Sequence, residues 1–425
     1  MIVSKTTAPF LALLLVTSAY AVENVKVTGG AKYWYQTTAE EDTANNDMFQ
    51  QKTSVGVAAV ELGASADLYK GLKGKVSVIG LDSLGLEQSF VKDITTAGAG
   101  WESDNGYYRT QIWVTEANLD YKISNTSFTV GRQALNTPLL MTERWNASFN
   151  TFDAALITNS DIPYTTLVAA YVYQHNGGAS AGNATAATGF PSTTMHNGSY
   201  YGFGSSYNTT TKRMTDGDER AYVFGAVVKP TKDLAINAWY YAIDEVTNAY
   251  WLDAEYKISG LFLGIQNSGM ENDASATADD AMFTAAKVGY TLDKLVLDAA
   301  YSTTATGNTD TRSITNIATG DKSKAYTQSV FQDGAAVGTR DTDTWRFGVA
   351  YKFDALNLSA SIQDMNQNGA TKPNDGMEFD LIATAKVGQY VNLTGMYIHQ
   401  DIDYKSAAET DKKIDAIRLI AAVKF

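Results

Sequence analysis

The stretch Asn136 to Asp153 reads NTPLLMTERWNASFNTFD and sets Glu143, Arg144 and Trp145 side by side. An acid, a guanidinium and an indole make no catalytic set. Held in a narrow passage, they would present opposite charges to a passing solute. Enzyme chemistry is hard to build elsewhere in the chain. It holds three histidines, His175, His196 and His399, and no cysteine. Hydrolytic sites need a His or Ser beside an acid or amide. His175 and His196 border or lie in a Gly/Ala/Thr-rich segment. His399 has Asp401 and Asp403 nearby but no partner motif. No cluster has zinc-ligand spacing. Calcium wants six or more oxygens, and no D-x-D-x-D-G loop is present. A calcium ion among converging carboxylates is the one metal left open; otherwise no cofactor is expected.

The remaining charges fall in segments where apolar and polar residues alternate, and they sit on the polar parity. Lys32, Glu61, Glu116, Arg346, Asp380 and Arg418 lie mid-segment. Asp120, Asp253, Glu255 and Asp298, with Lys122, Lys287 and Lys352, lie nearer one end. In a strand, alternate residues occupy opposite faces. One face is thus fit for lipid and the other for water. A midplane Arg or Lys facing lipid would cost about 2–4 kcal/mol. Arg132 is the exception, because it shares its parity with Phe128 and Val130. A bulge at Gly131 would turn it inward. Lys32, Arg346 and Arg418 then form a basic wall opposite Glu61 and Glu116, with Asp380 interrupting it.

The elements that must position these residues begin after residue 21. Lys5, the apolar run Phe10 to Val16 and Ala19-Tyr20-Ala21 form a secretory signal with an A-x-A cleavage site. No later apolar run approaches the roughly 18 residues of a membrane helix. Loss of Lys5 takes the formal charge from −13 to −14. That acidity argues against nucleic acid as a partner. Tyr is frequent at 25 and Gly at 34, with Pro at 6. That mixture suits strands meeting a membrane interface.

Eight tight turns alternate with nine longer polar loops, which gives 18 strands with both termini on the short-turn side. One misplaced loop would make it 16. The loops fall near 38–50, 83–108, 134–151, 175–218, 244–248, 269–280, 303–342, 366–375 and 403–412. Pro138, Pro163, Pro191, Pro230 and Pro373 all fall in loops or turns, where a missing N–H breaks no ladder. Short turns, long loops and an apolar alternate face predict a transmembrane antiparallel β-barrel over 22–425. Closure leaves no unpaired edge in lipid. The final segment, IRLIAAVKF, would close the barrel and put Phe425 at the periplasmic rim.

The segment VGRQALNTPLL, Val130 to Leu140, resembles the OprD-like outer-membrane porins, in particular the major outer-membrane porin type of epsilonproteobacteria. The strand count, the short periplasmic turns and the terminal Phe are similar to that family too. The resemblance implies a Gram-negative outer-membrane channel, commonly trimeric, with the third loop folded inward to narrow the pore. It implies passive diffusion of ions and small hydrophilic solutes. The expected partners are outer-membrane lipid, lipopolysaccharide, two further copies of the chain and the barrel assembly machinery, for which a terminal Phe resembles the recognition signal. About 18 strands enclose more space than side chains fill, so the third loop is the natural constriction. A surface adhesin or receptor barrel is the alternative, and a barrel hydrolase a more remote one.

Overall fold

The computed structural model describes residues 22–41, 47–86, 89–91, 111–177, 200–203, 206–208, 213–215, 219–271, 280–305, 313–369 and 373–425. The expected signal segment 1–21, Pro191 and His196 lie outside the described residues.

Eighteen strands form one sheet. The first six are β1 (Glu23–Glu40), β2 (Ser54–Tyr69), β3 (Leu72–Asp82), β4 (Gln111–Ile123), β5 (Thr126–Gln133) and β6 (Phe152–Asn159). Then come β7 (Thr165–His175), β8 (Ala221–Val228), β9 (Leu234–Ile243), β10 (Thr247–Ile258), β11 (Leu261–Met270) and β12 (Ala281–Leu292). The last six are β13 (Leu295–Ala305), β14 (Thr342–Lys352), β15 (Leu356–Gln367), β16 (Asn374–Val387), β17 (Val391–Tyr404) and β18 (Lys412–Lys424). Each pairs antiparallel with its chain neighbours. β18 returns to β1, from Gly30↔Lys424 to Glu40↔Ile414, and closes the barrel. A separate short hairpin pairs Ser206–Asn208 with Arg213–Thr215 in the fourth loop.

The turns at one end are short because local sequence allows it. Between β10 and β11 only Ser259 and Gly260 intervene, with φ of 48° and 88°. Two consecutive positive φ values match the right-handed twist of the flanking strands. The long connections lie at the other end. Among the described residues no helix is long and apolar enough to cross a membrane.

The outward face is apolar and exposed: Leu62, Ile112, Val130, Ile265 and Phe347 are each about half exposed or more. The inward face departs from simple alternation. On the loop-end halves of β7 to β12, Val172, Val223, Tyr241, Ile243, Trp251 and Phe283 face inward and are fully buried. They pack with Leu139 and Leu140 of loop 3 (134–151) and with Ile314, Ile317 and Val337 of loop 7 (306–341). A second apolar cluster joins Trp34, Val57, Ile79, Leu81 and Trp113 on β1 to β4 with Ala147 and Phe149 of loop 3. Loop 3 therefore contacts both walls.

Candidate functional site

Loop 3 starts as a tight tongue. Asn136 bridges to Met141 across Pro138, and the Thr137 hydroxyl donates to the Leu140 carbonyl at 2.7 Å. Its tip is pinned from both sides. The Tyr241 hydroxyl accepts the Leu139 N–H at 3.1 Å. The Leu139 carbonyl accepts the N–H of Ile317 in loop 7 at 2.8 Å. Asn150 closes the loop on itself, accepting from Glu143 N at 2.8 Å and donating to Met141 O at 2.9 Å.

Glu143 is not offered to the lumen. Its carboxylate accepts from Asn316 Nδ2 at 2.8 Å, Thr319 Oγ1 at 2.6 Å, Lys322 N at 3.3 Å and Trp145 Nε1 at 3.0 Å. Three of those donors belong to loop 7. The residue is a strut between the two loops, and at 8% exposure it is buried. Its neighbour Arg144 is exposed, with its guanidinium 3.8 Å from the centre of the Phe149 ring. Trp145 is half-buried, and its ring lies 4.9 Å from Lys322 Nζ.

Loop 7 was legible in the sequence only as a long polar connection. Among the described residues it packs on the inward face beside loop 3, and it is the longer of the two. An irregular segment away from water must have its backbone groups satisfied by side chains. Inward-facing strand residues do this. Gln266 of β11 donates to Lys324 O at 2.7 Å and accepts from Tyr326 N at 3.2 Å. Thr304 of β13 donates to Val337 O at 3.0 Å, and Gln363 and Gln367 of β15 donate to Gln332 O and Ala336 O, both at 3.0 Å. Glu378 of β16 accepts the N–H groups of Phe331 and Gln332 at 2.8 and 2.6 Å, and Asp380 that of Val330 at 3.3 Å. The single helical turn α1 (Gly334–Val337) is capped by Asp333. A Cβ on Gly334 would come within 2.2 Å of Ser323 N, so only glycine permits this approach.

The expected basic and acidic walls are largely closed by local partners. Arg418 is 5% exposed. It donates twice to Gln36 Oε1, at 2.9 and 2.7 Å, and lies 5.0–5.7 Å from the rings of Trp34, Trp145 and Phe331. Arg346 is paired with Asp298 at 2.8 Å. Asp380 is buried under loop 7. Glu116 is buried and paired with Lys75 at 2.6 Å. Lys32 donates to Asn146 O of loop 3 at 2.6 Å. Glu61 feels Arg144, Glu116, Lys75 and Lys32 together. The open electrostatic site is thus smaller than the sequence suggests: Arg144, Lys32 and Lys75 around Glu61.

Arg132 is held differently from the expectation. No register shift occurs in β5, although Gly131 has φ of 116°. The shifts lie in β4, against Ser77/Val78, and between β6 and β7, at Asp153/Ala154. Arg132 stays opposite Ala117 and Asp153 in the ladder. It grips Asp153 at 2.9 and 3.0 Å and donates to Val114 O at 3.1 Å. The Tyr200 ring covers the guanidinium at 3.3 Å. Burial pushes the Tyr200 hydroxyl up to about 12. This cluster holds Tyr200 in place and leaves the Arg132 charge paired with Asp153.

Toward the short-turn end, Asp233, Glu255, Lys257, Phe262, Lys287 and Thr291 line a recess of about 500 Å³. Tyr326 reaches it from loop 7: its hydroxyl donates to Glu255 at 3.3 Å and its ring lies 4.0 Å from Lys287 Nζ. Phe425 exchanges backbone hydrogen bonds with Gly29 at 2.9 and 3.0 Å, and its side chain is exposed. His175 packs between Phe152 and Phe203. His399 meets Asp415 at 2.9 Å on the outward parity. Among the described residues, no group of three or more His, Asp or Glu side chains is arranged for a metal ion.

No protein-family model and no curated protein sequence matches the chain. Solved structures do match over nearly its whole length. Pseudomonas aeruginosa OccD3 (OpdP) superposes with a TM-score of 0.67 at 16% identity, covering 96% of this chain and 92% of its own. Acinetobacter baumannii OccAB4 gives 0.72 at 12% identity, covering 95% and 99%. Pseudomonas aeruginosa OccK8 (OprE) gives 0.69 at 14%, covering 96% and 99%. The chain has the fold of these proteins.

Proposed function

We infer that the protein is an outer-membrane porin of Gram-negative type. It passes ions and small hydrophilic solutes by diffusion along an aqueous path narrowed by loops 3 and 7. The observation that carries this is a closed 18-stranded barrel, apolar outside, against whose inward-facing residues loops 3 and 7 pack and meet at Glu143. A barrel of this size encloses more than its own side chains can fill. The OprD-like segment Val130–Leu140 and the likeness in fold to the Occ structures support the same reading.

In this reading Phe425 ends the closing strand at the periplasmic rim and serves as the assembly signal. Lipid and lipopolysaccharide cover the apolar belt, and three copies associate. Arg144 is the constriction charge of loop 3, with Lys32 and Glu61 on the facing wall. Glu143 and Trp145 hold the loop in place. Purified folded protein in planar bilayers should give stepwise ohmic conductance. A folded barrel that never conducts would overturn the reading and favour a surface receptor role.

A further inference from the structure

The strands that run toward the short turns end alike. Of those nine, seven have a lysine within one residue of their last. Lys122, Lys257, Lys352, Lys386 and Lys424 lie on the inward parity of β4, β10, β14, β16 and β18, and Lys70 and Lys229 directly follow β2 and β8. Tyr121, Tyr256 and Tyr351 immediately precede three of them and are exposed on the outward parity. Outward tyrosines at strand ends mark the membrane–water boundary. The lysines therefore stand where the lumen opens to water. All seven are exposed, and none has an ion-pair partner among the described residues. The acids at this end do not cancel them. Asp67, Glu255, Asp298 and Asp354 pair with Lys73, Lys287, Arg346 and Lys294. That leaves Glu23, Asp120, Asp161, Asp233 and Asp293 against the seven lysines together with Lys26 and Lys232. The opposite end is acidic. Loops 5 and 6 (244–248 and 269–280) include Asp244, Glu245, Glu271 and Asp280 and contain no lysine or arginine. Those four acids are exposed.

We propose that the channel is electrically two-ended, with a lysine ring at its short-turn mouth and acids at its loop mouth, and that this polarity makes it rectify current. This rests on the porin reading. Charged mouths concentrate counter-ions. The loop mouth gathers cations, and the lysine mouth gathers anions. A voltage positive on the loop side drives each ion in through the mouth that attracts it, so carriers accumulate between the two. The reverse voltage draws each ion in through the mouth that repels it, and the interior is depleted. No part of the protein has to move. Mouth charges reach about 10 Å at about 0.1 M salt and about 3 Å at about 1 M, so the asymmetry belongs to dilute salt. The same polarity makes selectivity depend on the direction of a salt gradient, because the mouth on the dilute side is the less screened one. Cation preference is greater with the dilute solution at the loop mouth.

The experiment is single-channel current against voltage at about 0.1 M and about 1 M salt. Orientation is read from a tag. The chain has no cysteine, and Ala407 is exposed in the last loop, so Ala407→Cys carries biotin there alone. Streptavidin added to one chamber disturbs the current only when the loops face that chamber. At about 0.1 M the current should be larger with the loop side positive, and at about 1 M the two directions should match. The triple variant Lys122→Gln, Lys257→Gln, Lys352→Gln alters exposed side chains and leaves the ladder intact. Its ratio of forward to reverse current in dilute salt should fall toward one. Reversing the salt gradient should change the reversal potential in magnitude as well as sign in the wild type, and less so in the triple variant. A symmetric wild-type current in dilute salt, rectification of the opposite sense, rectification that survives about 1 M salt, or an unchanged ratio in the triple variant overturns the proposal. Absence of any conductance at every voltage overturns the porin reading instead.

Discussion

Glu143 and Arg144 are neighbours in the chain with opposite fates. In sequence they look alike, two charges at the tip of one loop. What separates them is supply of donors: Asn316, Thr319 and the Lys322 N–H stand around Glu143, while Arg144 is exposed over the Phe149 ring, within electrostatic reach of Glu61. No local pattern in residues 136–153 could show this, because the donors lie more than 170 positions away. Glu143→Ala should strand the Asn316 and Thr319 donors. A buried group left unsatisfied costs about 1–3 kcal/mol. The barrel should still melt as before, since its ladder is untouched. The loop joint should loosen, seen as faster proteolysis within loops 3 and 7 and larger conductance. Arg144→Gln should leave proteolysis unchanged and alter ion selectivity alone. If both variants change selectivity and neither changes cleavage, Glu143 faces the pore and the strut assignment is wrong.

At the scale of elements, the strands were readable because lipid enforces period two on one face. Turn residues such as Ser259-Gly260 punctuated them, and all eight short turns fall where the turn chemistry put them. The other face was less readable. Val172, Val223, Tyr241, Trp251 and Phe283 are apolar residues on the inward parity. Their cause is not lipid but loops 3 and 7, and that doubled apolarity near the loop ends was the available signal for an inner plug. Ile314, Ile317 and Val337 in loop 7 were its counterpart. The two loops make separable predictions. Deleting Leu139 to Ala147 removes contacts to both walls and to loop 7, so conductance should rise by more than Glu143→Ala achieves. Unchanged conductance would place the narrow point elsewhere. Strand closure is separable again. Removing Phe425 deletes a backbone pair with Gly29 and the terminal aromatic, and should lower the folded barrel in the outer membrane while unfolded precursor accumulates. Equal surface levels would make that aromatic incidental.

For the whole molecule the question is which charges a moving ion meets. The sequence placed Lys32, Arg346 and Arg418 on a wall that would attract anions, against an overall formal charge of −14 without the signal. The structure withdraws two of the three. Arg418 is sealed among aromatic rings and Gln36, and Arg346 is spent on Asp298. Lys32, Lys75 and Arg144 remain near Glu61 and Glu116, so the mid-depth field is short-ranged and nearly balanced. Charges at wet mouths act over about 8–10 Å at physiological salt and concentrate counter-ions. The acidic excess should therefore set the sign: a weak preference for cations that fades as salt rises. Reversal potentials in a salt gradient measure it. Arg144→Gln should strengthen the preference if, as proposed, that exposed charge lines the path. Arg418→Gln should leave it unchanged and act through loop 3 packing instead. An anionic reversal potential at low salt would mean that Lys32, Lys75 and Arg144 outweigh the mouth. A selectivity shift in Arg418→Gln as large as that in Arg144→Gln would mean that Arg418 reaches open water.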